Sequence, residues 1–135
     1  MVSDIITALK SEQLTSRRGS FKKSVLLVDD DAFVLRSEKR QLGLYFDIAT
    51  ANGAENAAVS LMTGGFDAII TDFDMPGYNG IWLLEQVAGN FPGIKRIMVL
   101  ARDQSIFLPY LESGLIHYFY TKPINMVDVI NSINV

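Results

Sequence analysis

The chain reads as an α/β protein: a doubly wound parallel sheet whose strands alternate with helices along the sequence. Three observations lead there. Short unbroken apolar runs such as Val25-Leu26-Leu27-Val28 and Ala68-Ile69-Ile70 lack the alternation of a half-solvated strand, so they fit strands buried on both faces. Stretches with helical spacing separate the runs, and a repeating βα order puts helices on both faces of a parallel sheet through right-handed crossovers. Two of the runs end in acids, Asp29-Asp30 (Asp31 follows) and Asp72 with Asp74 beyond it. Ligands of open α/β sheets sit just beyond the carboxyl ends of such strands.

The elements follow in order. Residues 4–14 form a short helix with Ile5, Ile6, Leu9 and Gln13 on one side, and residues 15–23 a basic linker. The first strand spans about 24–29, and a helix near 32–43 turns Phe33, Val34, Leu35 and Leu42 toward the core. Residues 46–50 make a short second strand, and a helix at 53–63 stops at Gly64-Gly65, a C-terminal signal. The third strand is 67–72, the turn residues of 75–80 form a loop, and a helix runs 80–90. The fourth strand is 96–100, and Pro109 should kink or shorten the helix at 104–112. A fifth strand at 117–120 and a last helix at 124–133 complete the order. The division is a 1–22 extension and a domain at 23–135.

At 135 residues, 49% of them hydrophobic, the chain suits one domain with one core. With no cysteine, disulfides, thiolate zinc sites and cysteine nucleophiles are excluded, and a cytoplasmic location is expected. A net charge of −3, from 12 basic and 15 acidic residues, leaves no electrostatic footprint for nucleic acid. No apolar run approaches the length of a membrane span. The start Met1-Val2-Ser3-Asp4 lacks the positive charge of a signal peptide.

If the first and third strands are neighbours, Asp29, Asp30 and Asp72 converge. Carboxylates that repel one another need a cation or raised pKa values. An all-oxygen set suits a hard divalent ion, magnesium above all, and so a phosphate-handling site. Each motif also has a plainer reading. Asp29-Asp30 could be a helix N-cap with polar neighbours, Asp72 a turn residue, and Lys122 a solvated surface lysine. Lys122 follows the fifth strand at the same sheet edge, where its point charge suits a phosphoryl oxygen.

Together, Val28-Asp29-Asp30, Asp72-Phe73-Asp74-Met75-Pro76, Gly80 and Thr121-Lys122-Pro123 resemble the receiver domain of two-component response regulators, over about residues 23–135. The resemblance implies a flavodoxin-like (βα)5 fold with strand order 2-1-3-4-5. It implies Asp72 as phosphoacceptor, forming an aspartyl phosphate. Asp29, Asp30 and Asp72, with the backbone carbonyl of Asp74, would hold Mg²⁺. Lys122 would contact the phosphoryl group, Pro76 and Gly80 would shape the loop over the site, and the bond before Pro123 is often cis in this family.

One departure stands out. The family usually has Thr or Ser where Ala101 lies, and a small residue where Arg102 lies. That hydroxyl normally moves to the phosphoryl group and draws inward an aromatic at the position of Phe119. One link between phosphorylation and the switch is therefore expected to be missing. Asp74 is a second variation, placed to repel or orient hydrolytic water.

The expected function is a phosphoacceptor receiver served by a sensor histidine kinase or a histidine phosphotransfer protein, either stand-alone or a piece of a longer protein. Its only enzyme-like act would be self-phosphorylation, without turnover of a separate substrate. The crowded apolar residues Ile106, Phe107, Leu108, Tyr110 and Leu111, with Tyr118 and Tyr120, mark a face for a homodimer or output partner. Trp82 is a further contact candidate, and the lone His117 reads as a strand-end residue. Two alternatives fit parts of the pattern. A degenerate receiver would bind partners without phosphorylation. A haloacid-dehalogenase-type phosphatase would share the Asp72-Phe73-Asp74 pattern, but its motif lies near the N-terminus with the acidic pair downstream.

Overall fold

The computed structural model describes residues 22–101 and 103–135. The helix expected at 4–14, most of the basic linker and Arg102 lie outside the described residues. The strands are β1 Ser24–Asp29, β2 Asp47–Asn52, β3 Ala68–Asp72, β4 Lys95–Leu100 and β5 Tyr118–Thr121. They form one parallel sheet in the order β2-β1-β3-β4-β5. The helices are α1 Ala32–Leu42, α2 Ala54–Thr63, α3 Gly80–Asn90, α4 Leu108–Glu112 and α5 Met126–Asn134. This is the expected doubly wound fold.

Alternation along each strand splits the core into two layers, because successive side chains point to opposite faces. Val25, Leu27, Ala68, Ile70, Ile97 and Val99 pack with Leu35 and Leu42 of α1 and Val129 and Ile133 of α5. Leu26, Val28, Ile69, Met98 and Leu100 pack with Ala57 and Leu61 of α2, Leu83, Leu84 and Val87 of α3, and Phe107. The central strands are buried along almost their whole length, as unbroken apolar runs require.

Several details differ from expectation. Phe33 does not face the core; it is 71% exposed, and Val34 is only half-buried. The buried stripe of α1 is Leu35 and Leu42, since three consecutive residues cannot share one face of a helix. β2 starts at Asp47, where the amide bonds to Lys23 O at 2.9 Å and pairing with Ser24 begins. Phe46 is buried just ahead of it. The helix expected at 104–112 is divided into a 3-10 turn, Gln104–Phe107, and α4, with Pro109 in the first turn of α4. Proline lacks an amide donor, so it is tolerated at such a start and not in a helix interior. Some of the crowded apolar residues do face out: Ile106 is 61% exposed, and Leu108 and Leu111 are exposed too, while Phe107 is buried.

Candidate phosphoacceptor site

The site is built where β1 and β3 end. Their register pairs Val28 with Thr71, so the next residues, Asp29 and Asp72, lie side by side. Both are buried, and Asp30 is exposed. One carboxylate oxygen from each of Asp29, Asp30 and Asp72 lies within 4.8 Å of the others. Asp31 explains why Asp29 and Asp30 are spared for this. Its side chain caps α1, accepting from the amides of Phe33 at 2.9 Å and Val34 at 3.3 Å. The capping role thus falls one residue beyond the acidic pair, and Asp29 Oδ1 accepts the Asp31 amide at 3.0 Å.

Lys122 enters from the neighbouring edge of the sheet. Thr121 pairs with Leu100, and the Lys122 amide donates to Leu100 O at 2.8 Å. The Lys122–Pro123 peptide is cis. The ammonium lies 3.3 Å from Asp72 Oδ1 and 3.4 Å from Asp29 Oδ2. Burial raises the Asp72 pKa above its ordinary value and the Asp29 charge adds to that, while Lys122 opposes it. Burial alone would lower the Lys122 pKa, but Asp29 and Asp72 outweigh it and the net shift is upward. Three carboxylates against one ammonium leave two excess negative charges when all are ionised. Such an oxygen-rich, negatively charged cluster fits a hard divalent cation.

The loop after β3 is positioned by glycine. A Cβ on Gly80 would sit 2.5 Å from Asp72 O, so only glycine lets α3 begin this close to the site. The Gly80 amide donates to Phe73 O at 3.0 Å, and Asn79 caps α3 through the Trp82 amide. Pro76 lies on the exposed part of this loop, beside Gly77 with φ of +80°. The Asp74 side chain is exposed and stands outside the three-carboxylate cluster. Ala101 is exposed at the end of β4, and Phe119, paired with Met98, is half-buried against the layer of α2 and α3. Trp82 is half-buried and stacks on Tyr78 at 4.1 Å. His117 accepts the Arg96 amide through Nδ1 at 2.9 Å, a structural role at the start of β5.

Sequence reasoning missed Glu38. It lines a groove of about 530 Å³ between α1 and the segment after β5, together with Phe33, Val34, Lys122, Ile124 and Met126. Burial, then Asp29 and Asp72, raise its pKa from 4.5 to about 7 against the pull of Lys122. A signal was available: Glu38 falls between Leu35 and Leu42 at core-facing spacing.

Residues 25–134 match the response regulator receiver domain. The chain belongs to that family. The receiver is 39% identical over 90 residues to the chemotaxis protein CheY of Pseudomonas aeruginosa, covering 61% of this chain and 72% of that protein. It is 28% identical over 111 residues to the hydrogenase transcriptional regulatory protein HoxA of Cupriavidus necator, covering 79% of this chain but only 23% of that protein. Among solved structures, it resembles the response regulator protein TrrA of Thermotoga maritima in complex with Mg²⁺-BeF, with a TM-score of 0.73 and 25% identity, covering 83% of this chain and 96% of that one. Among the described residues, no helix is long and apolar enough to cross a membrane.

Proposed function

We propose that this receiver accepts a phosphoryl group on Asp72 within a two-component or phosphorelay system. The observation that carries the reading is the Asp72 carboxylate itself: buried, 3.3 Å from Lys122, and flanked by Asp29 and Asp30. A carboxylate oxygen of Asp72 attacks phosphorus, and the bond from phosphorus to the donor breaks, its electron pair leaving with the donor. The ammonium of Lys122 holds a phosphoryl oxygen as charge develops there. Asp29, Asp30 and Asp72, with the Asp74 carbonyl, would hold Mg²⁺. When bound, that ion supplies the charge neutralisation that lets a carboxylate approach a phosphoryl group. Asp72 is consumed as acceptor, so the chain turns over no separate substrate. The donor is a phosphohistidine on a sensor kinase or phosphotransfer protein, and the exposed face of α4, β5 and α5 is the surface offered to a second copy or an output partner.

The test is intact mass after incubation with Mg²⁺ and acetyl phosphate, beside Asp72→Asn. One phosphoryl group gained by the parent and none by the variant is the expected result. Equal behaviour of the two would overturn the assignment.

A further inference from the structure

We propose that residues 4–14 of this chain dock in the groove between α2 and α3, with Ile5, Ile6 and Leu9 turned toward Trp82 and Met62. The segment lies outside the described residues, and the groove lies within them. The inference does not depend on the receiver reading of Asp72.

α2 and α3 cover the same layer of the core, and a groove of about 300 Å³ runs between them. Leu61 and Met62 of α2 form one wall. Trp82, Gln86 and Asn90 of α3, with Phe91 just beyond its end, form the other. No side chain that lines the groove is charged. Met62 is 80% exposed, and Val59, one turn earlier on the same helix, is 65% exposed. Tyr78 stacks on Trp82 and is exposed as well. An apolar surface of this kind marks a contact site.

Reach, shape and charge select residues 4–14 as the occupant. The chain enters β1 where both helices end. The Ser24 amide donates to Asp67 Oδ2 at 2.8 Å, and the Asp67 amide donates to Ser24 O at 2.7 Å. Asp67 comes shortly after the end of α2 at Thr63. The Lys95 amide, shortly after the end of α3, donates to Asp67 O at 3.0 Å. Residues 15–21, fully extended, span up to about 25 Å, and α3 is about 16 Å long, so the whole groove lies within reach. Residues 4–14 equal α3 in length, and the spacing of Ile5, Ile6 and Leu9 puts them on one side of a helix. No Lys, Arg or His falls between Phe46 and Ile94, while Glu55 of α2 and Glu85 of α3 are exposed. Lys10, Arg17 and Arg18 bring the opposite charge. A second copy set groove against groove about a two-fold axis would face Glu55 and Glu85 with the same acids. A tethered segment is present at millimolar effective concentration, so a small apolar contact is enough to hold it.

The test uses the full chain. Trp82 is its single tryptophan, so its emission reports on the groove directly. In an Ile6→Asp, Leu9→Asp double variant the emission should shift to the red and acrylamide should quench it more strongly than in the parent. Light scattering should find both proteins monomeric, and far-ultraviolet circular dichroism should find both folded. The chain has no cysteine, which permits a second measurement. Leu9→Cys with Met62→Cys should close a disulfide within the chain under diamide at least about tenfold faster than Leu9→Cys with Lys39→Cys, where Lys39 is exposed on α1. Equal rates for the two pairs, or unchanged emission in the folded double variant, would overturn the inference. A disulfide that forms between chains and not within one would give the groove to a second copy and overturn it as well. The cysteine pairs decide the matter by themselves where the aspartates disturb the fold.

Discussion

Glu38→Gln should make the protein more stable at alkaline pH and flatten its stability profile. In the folded chain this carboxyl titrates near 7 and in the unfolded chain near its ordinary 4.5. Between those values the unfolded state releases the proton while the folded state keeps it. The stabilisation associated with neutral Glu38 is therefore complete below about 4.5, is lost as pH rises, and is gone above about 7. A sealed carboxyl with this displacement would account for ~3 kcal/mol. Glu38 is half open to the groove, so solvent screening reduces the expected loss to roughly 1–2 kcal/mol between pH 5 and pH 8. Glutamine keeps the shape and never ionises. Urea unfolding of parent and variant at both pH values measures the difference. The variant should be more stable by roughly 1–2 kcal/mol at pH 8, with most of that gain absent at pH 5. Addition of Mg²⁺ should shrink the gap, because it neutralises Asp29 and Asp72, two of the charges that raise Glu38. A gap of the same size at both pH values would refute the linkage.

Other substitutions test the frame of the site. Gly80→Ala places a methyl 2.5 Å from Asp72 O, and it should cost about 1–3 kcal/mol by chemical denaturation and slow phosphoryl uptake as the loop shifts. Arg96 is buried and donates to the carbonyls of Leu115, Gly114, Pro92 and Ile94; Arg96→Met leaves those acceptors unpaired and should cost on the order of 3 kcal/mol in a thermal melt. Mg²⁺ should raise the melting temperature of the parent, and Asp30→Asn should remove most of that rise. An equal rise in both would exclude Asp30 from the cation site.

The site's charged residues were legible because they stand at strand ends, where apolar runs stop abruptly. Asp29, Asp72 and Lys122 need only the sheet order to meet. The plainer N-cap reading offered for Asp29-Asp30 belongs to Asp31, because three adjacent aspartates look alike until the helix start is placed. Phe33 was misplaced for a phase error: Leu35 and Leu42 set the buried face of α1, and Phe33 falls off it. Glu38 was overlooked because an acid on a helix normally reads as solvated. Its setting depends on Lys122 and Ile124 arriving from far along the chain. Arg96 was equally hidden, since its acceptors are backbone carbonyls, which carry no side-chain signature.

The sheet acts as a partition. Asp29 continues the side-chain parity of Val25 and Leu27, Asp72 that of Ala68 and Ile70, and Lys122 that of Tyr118 and Tyr120, all in the layer of α1 and α5. Phe73, Phe107 and Phe119 belong to the opposite layer. The reactive charge thus continues one layer, and the three phenylalanines Phe73, Phe107 and Phe119 lie in the other. A change at Leu27 or Ile70 disturbs the floor beneath the carboxylates, whereas one at Val28 or Ile69 disturbs the floor beneath α2 and α3. Packing changes in the two layers can therefore be made separately, one residue apart on the same strand.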